Sequence, residues 1–191
     1  VIRAVNAATA RGVNVRVVCD FGVGNVLNSF TTPNKKLAPA GTTLYGIMHN
    51  KFMVIDVNDP NLATVWTGST NWTDQQLLTD PNDVIIIQDQ SLARGYTIEF
   101  EEMFTNYLFG ASKKNNTPHD FIIGGRHIES YFSPSDNTHA NLKRAMATAN
   151  YDLYTGVMAW TKTDIGYVII DSAINKNGAY YAGIVDDTSG T

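Results

Sequence analysis

The chain is short of the residues on which many functions depend. It has one cysteine, Cys19, in 191 residues. No internal disulfide can therefore form, and no Cys/His cluster has zinc spacing. Cys19 closes the mostly apolar run Val15-Arg16-Val17-Val18, where a small buried thiol is expected rather than a nucleophile. Basic residues are few: 14 Lys and Arg stand against 18 Asp and Glu, for a net charge of −4 and a pI near 5.4. The adjacent pairs Lys35-Lys36 and Lys113-Lys114 are expected on the solvated surface. A dedicated nucleic-acid protein usually carries a broader basic patch, although a local cleft can be positive on an acidic chain. No apolar run is long enough to cross a bilayer. Val1-Ile2-Arg3-Ala4 does not read as a signal peptide, because no basic region precedes an apolar stretch. Apart from these shortages, 43% hydrophobic residues is an ordinary globular content.

The pattern along the chain predicts an α/β fold, a mixed β-sheet flanked by helices. Residues 2–11 read as helix and Gly12 as its stop, followed by a strand over 13–20. Residues 21–41, rich in turn formers, read as a loop with one short helix. Strands are predicted at 45–56, 63–67 and 83–88, with a turn at Asn58-Asp59-Pro60. A helix follows over 91–108, with Ser91 as its cap. Residues 113–120 read as a polar linker, after which the pattern restarts: strand 128–132, helix 138–150, strand 151–158, helix 164–175. Trp66 is expected in the core; Trp72 is expected to serve packing, with a place at the border of the substrate cleft as the alternative. His119, His127 and His139 lack partners at metal spacing and are expected at the surface.

The end of the chain echoes its beginning. Gly178 through Asp186 follows a helix as Gly12 through Asp20 does, with Asp eight residues after Gly in both. Val18 maps onto Ile184, an offset of 166 residues (184 − 18). The chain is thus expected to hold parts of two pseudo-symmetric repeats: 1–112 as the back of one and 121–191 as the front of the next.

One constellation carries chemistry. His49-Asn50-Lys51 is followed by Asp56, and twelve residues later Gly68-Ser69-Thr70-Asn71 begins. On a strand, His49 and Lys51 share a face while Asn50 points away. A phosphodiester is anionic and resists attack. A lysine beside a histidine neutralises a non-bridging oxygen, and a neutral imidazole can attack phosphorus to form a covalent intermediate. Ser69 and Asn71 offer hydrogen bonds without adding titrating groups. No acidic cluster suggests a metal, and no cofactor is expected.

His-x-Lys-x4-Asp followed by Gly-Ser-x-Asn resembles the signature of the phospholipase D superfamily, matched here by His49, Lys51, Asp56, Gly68, Ser69 and Asn71. The resemblance extends to Ala10–Val18, Asn82–Ile87 and Ile128–Pro134, and so over nearly the whole chain. It implies a phospholipase D-like fold and a metal-independent phosphodiesterase acting through a phosphohistidine. His49 would be the nucleophile, or the general acid if a partner histidine attacks. Lys51, Ser69 and Asn71 would bind phosphate, Asp56 would serve local structure more than chemistry, and Asp83 would orient His49. The expected substrate is a phospholipid head-group diester; a nucleic acid, cut by an endonuclease of the same superfamily, is the alternative. A binding or scaffold module with a decayed partner motif is the reading outside enzymes.

The family's site joins two such motifs, and this chain has one. The repeat offset places the second near position 215, beyond Thr191. The partner motif is therefore expected from further sequence or from a second copy of the chain. The Asn- and Thr-rich, Lys-poor composition suits a secreted or periplasmic bacterial protein.

Overall fold

The computed structural model describes residues 1–41 and 46–187, which divide into one compact unit over Val1–Asp136 and a second from Asn137 onward. At the centre of the first unit, β4 (Thr64–Gly68) lies antiparallel between β3 (Phe52–Ile55) and β5 (Val84–Gln88). Phe52 pairs with Thr67, and Gly68 with Val84. Alternation along β4 separates two faces. Val65 is fully buried, whereas Trp66 is half-buried on the opposite face, edge-on to Trp72 at 5.4 Å. The core therefore forms around Val65, and the expectation that Trp66 lies in it is corrected.

Helix α4 (Gln90–Phe104) covers the Val65 face. Its Leu92 and Ala93 pack with Ala63, Val65 and Phe121. Full burial of a Val or Leu side chain is worth about 1.5–3 kcal/mol. The cap is Asp89, not Ser91: Asp89 Oδ1 accepts the Leu92 N–H at 2.8 Å, as a residue in the N-cap position should. The ring of Phe121, from strand β6 (Asp120–Ile123), closes on Gly95, where a Cβ would sit 3.2 Å from it.

A parallel pair belongs to the same unit. After α1 (Ile2–Ala10), strand β1 spans only Val17–Cys19 and pairs with β2 (Lys35–Leu37). The expected strand over 13–20 is shorter because Val13 is half exposed and β2 offers only three partners. Between β1 and β2 lie a short 3-10 turn (Phe21–Val23) and α2 (Gly24–Leu27), so the expected loop also holds a strand. The expected 45–56 strand shrinks to 52–55, and Tyr45 lies outside the described residues. A short helix, α3 (Asp74–Leu78), was not anticipated, and α4 ends at Phe104 rather than 108.

Residues 113–120 are not a free linker. The Lys113 side chain is only 5% exposed and pairs with Glu99 and with Glu102, so it is not the solvated lysine expected. Thr117 is buried and donates to Asp136 Oδ2 at 3.1 Å. The segment leads into a hairpin of β6 and β7 (Arg126–Glu129), and the unit runs to Asp136. His119 is held rather than free, with Nδ1 3.0 Å from the Ser130 carbonyl and its ring stacked on Tyr131.

In the second unit, α5 (Thr138–Met146) precedes β8 (Asp152–Ala159). Helix α6 (Thr163–Val168) runs on into π-helical turns over Ile169–Lys176, and β9 (Tyr180–Asp187) follows. Strands β8 and β9 are parallel, which requires a long crossover between them, here supplied by the helical segment. The α/β class is as expected, with parallel and antiparallel pairing distributed over separate ladders. No described helix is long and apolar enough to cross a membrane.

Candidate active site

His49, Asn50 and Lys51 lie just before β3, outside its hydrogen-bonded ladder. The alternation expected for a strand thus does not position them; side chains from elsewhere do. Asp20, at the end of β1, accepts the Met48 N–H on Oδ2 at 2.9 Å and the Gly22 N–H on Oδ1 at 2.8 Å. Asn50 Nδ2 donates to Glu99 Oε1 at 2.9 Å. The Lys51 carbonyl accepts the Thr67 hydroxyl at 3.3 Å, tying the segment to β4. Lys51 Nζ folds back onto the His49 carbonyl oxygen at 2.8 Å.

His49 is exposed to solvent on part of its surface. Burial of the remainder pushes its imidazole below the ordinary histidine value. The neighbouring Lys51 ammonium lowers it further, and Asp20 opposes both. Burial likewise pushes Lys51 down. The pair thus combines an imidazole biased toward its neutral, nucleophilic form with a cation beside it.

The Gly68–Asn71 corner is fixed by the start of β5. Ser69 N–H donates to the Asp83 carbonyl at 3.2 Å, and Asp83 N–H donates to Ser69 Oγ at 3.0 Å. Thr70, buried, donates to the same carbonyl at 3.2 Å. Asn71 N–H donates to Gln76 Oε1 of α3 at 2.7 Å, leaving the Asn71 amide free of that task. Gly68 is required here: a Cβ would lie 2.2 Å from the Asp83 carbonyl oxygen.

Two residues of the expected set lie apart from His49, Asp56 in the local structural role expected of it. Asp56 sits at the far end of β3 from Lys51, about 16 Å away at ~3.3 Å per residue. It adopts a positive φ of 50°, and its carbonyl accepts the Asp59 N–H at 2.9 Å. Its place is in the turn, because the extended strand carries it away from His49. Asp83 makes no hydrogen bond to His49 among the described residues; its main chain braces Ser69 and Thr70. The carboxylate acting on His49 is Asp20, which the sequence shows only as an acid at a strand end before Gly-x-Gly. Glu99 is a second acid that the motif does not mark. Its signal was an acid in register with the buried stripe Leu92 and Met103 of α4.

A cavity of about 290 Å³ opens beside His49 and Asn50, with Lys113 and Ser133 as further polar lining. Ile47, Met48, Met103, Phe109 and Pro134 form much of its wall. Separately, the β6–β7 hairpin gathers Asp120, His127 and Glu129, whose ligand atoms lie within 4.8 Å of one another. Sequence spacing had left His127 without partners, but a hairpin register supplies them. His127 Nε2 lies 2.9 Å from Asp120, and Glu129 accepts from Tyr131, so these groups already partner one another. Cys19 is half-buried, and burial raises its thiol, as suits an unreactive residue.

A family model described as "Cardiolipin synthase, PLD-like domain" matches residues 1–104, the stretch that holds every residue from His49 to Glu99 discussed above. The chain is also similar to the mitochondrial cardiolipin hydrolase of Xenopus tropicalis, 34% identical over 110 residues, or 55% of this chain and 49% of that one. It is 31% identical to the Homo sapiens protein of that name over 121 residues, 60% of this chain and 46% of that one. The chain spans about half the length of the curated relatives it matches.

Proposed function

Because the chain belongs to the PLD-like family of the phospholipase D superfamily, we propose that it supplies one half-site of an enzyme cleaving phospholipid phosphodiesters through a covalent phosphohistidine. The observation that carries this reading is the placement of the Lys51 ammonium against the His49 backbone, 2.8 Å from its carbonyl oxygen, which sets a cation beside an exposed imidazole. In the reaction, a His49 nitrogen lone pair bonds to phosphorus, and the bond from phosphorus to the leaving oxygen breaks. A histidine of the partner half-site protonates that oxygen. Water, or an alcohol in the transfer variant, then attacks phosphorus, releases His49 and returns a proton to that partner. Lys51 leaves the His49 carbonyl for a non-bridging oxygen, while Ser69 and Asn71 donate to the phosphate.

The choice of a lipid rests on two supports. The cavity beside His49 has an apolar side, formed by Ile47, Met48, Met103, Phe109 and Pro134, that can take hydrocarbon. Similar proteins are named for the hydrolysis of cardiolipin, an anionic phospholipid. The second half-site comes from further sequence or from a second copy.

The deciding experiment compares the chain with its His49→Ala variant on cardiolipin-containing vesicles, on a single-stranded oligonucleotide and on bis(4-nitrophenyl) phosphate, with EDTA present and across protein concentrations. Lipid cleavage lost in His49→Ala and rising more steeply than linearly with concentration is expected for two copies building one site. Cleavage of the oligonucleotide with the vesicles left intact overturns the lipid assignment. If His49→Ala matches the parent, His49 has no catalytic role.

A further inference from the structure

We propose that Glu99 is a positioning residue for His49 and Lys51, acting through the side chain of Asn50 that lies between them. Its catalytic meaning rests on the phosphodiesterase reading of His49, whereas the arrangement itself does not.

The tripeptide has no ladder of its own. It is anchored before by Asp20 on Met48 and after by Thr67 on Lys51, and the middle anchor is the 2.9 Å bond from Asn50 Nδ2 to Glu99 Oε1. Since Asn50 is bonded to both neighbours, fixing its side chain restrains the backbone from which His49 and Lys51 project. Glu99 is itself rigid. It is 1% exposed on the buried face of a 15-residue helix, and Lys113 Nζ donates to the same oxygen that receives Asn50. Glu102 Oε2 lies 3.6 Å from that ammonium.

Core packing does not account for this group. A buried ion pair is often no more stabilising than apolar residues of the same volume, and Glu99 occupies a stripe position where a leucine would pack. Burial pushes its carboxyl above the ordinary value, and the bonds from Lys113 and Asn50 only partly offset that. What an apolar side chain could not do is accept the Asn50 amide. The Asn50 amide thus ends on an oxygen whose own side chain is buried and fixed in α4.

The test follows the His49 ring by proton NMR titration, its signal identified by its loss in His49→Ala, together with turnover of bis(4-nitrophenyl) phosphate. The charged groups acting on His49 are Lys51 and Asp20, so displacement of the tripeptide registers in its midpoint. In Asn50→Leu and Glu99→Leu the midpoint is expected to rise toward the ordinary imidazole value, and kcat to fall about a hundredfold with KM little changed. Glu99→Gln keeps an acceptor for Asn50 and leaves Glu102 beside Lys113, and should restore both readouts to near the parent values. Asn50→Leu deletes the bond without touching the buried pair, so it stays informative if Glu99→Leu fails to fold. An Asn50→Leu chain with parental melting temperature and an unmoved His49 midpoint overturns the proposal. If His49→Ala retains full turnover, the phosphodiesterase reading falls, and the titration still decides the positioning role.

Discussion

The carboxylate of Asp20 accepts the main-chain N–H of Met48 at 2.9 Å, and so pins the chain one residue ahead of His49. The same carboxylate favours the charged form of the His49 imidazole, against burial and Lys51. Anchor and electrostatic partner are thus one side chain.

Replacing Asp20 by Asn removes the charge and keeps one of the two acceptor oxygens, which can stay on the Met48 N–H while the Gly22 bond is lost. The His49 midpoint should fall further below the ordinary imidazole value, because the one influence raising it is gone. NMR titration of His49 reads this directly, and an upward shift would contradict the assignment.

Lys51→Met should move the same midpoint the other way. Removing the ammonium relieves the repulsion that disfavours imidazolium. Turnover should drop by roughly 10²–10³-fold, the usual loss when a transition-state charge stabiliser is deleted. Activity assays paired with the titration separate loss of the cation from unfolding.

Gly68→Ala should strike stability and site together. The added Cβ would fall 2.2 Å from the Asp83 carbonyl oxygen at a φ of 154°, forcing β4 and β5 apart where Ser69 is held. A cost of about 1–3 kcal/mol is expected from such backbone strain. Urea unfolding measures it, and faster amide exchange at Ser69 and Asp83 would locate it.

Lys113→Met should leave Glu99 and Glu102 buried without their cation, at a cost of about 3–5 kcal/mol. The loss should shrink as pH falls. Glu99 already protonates above the ordinary carboxyl value, and a protonated carboxyl no longer needs the ammonium. Denaturation at neutral and at mildly acidic pH makes the comparison; equal losses at both would argue against it.

Local pattern carried much of this protein. The periodicity around Leu92 located α4, the apolar run at Val84–Ile87 located β5, and the paired motifs located His49 and Ser69. What failed were features decided by distant partners. Lys113 reads as a surface lysine until Glu99 and Glu102, 14 and 11 residues earlier (113 − 99; 113 − 102), claim it. The strand drawn through His49 stops at Phe52, because the register with β4 ends at Thr67 and the chain then turns toward Asp20. Strand β2 was hidden because three residues, two of them lysines, show no alternation to read. Asp56 matched its motif position, but the motif does not show that an extended strand carries it out of reach.

A reactive segment tethered by side chains from three separate elements can detach while the strands behind it stay paired. Its opening is then a sub-global event with its own free energy, smaller than that of melting the β3–β4–β5 sheet. Low denaturant should therefore expose the amides of Met48 to Lys51 to exchange, and silence any chemistry at His49, before the far-UV signal of the sheet changes. For this chain, any chemistry at His49 and the fold should then be lost in two transitions, and the gap between them would measure the strength of the tethers.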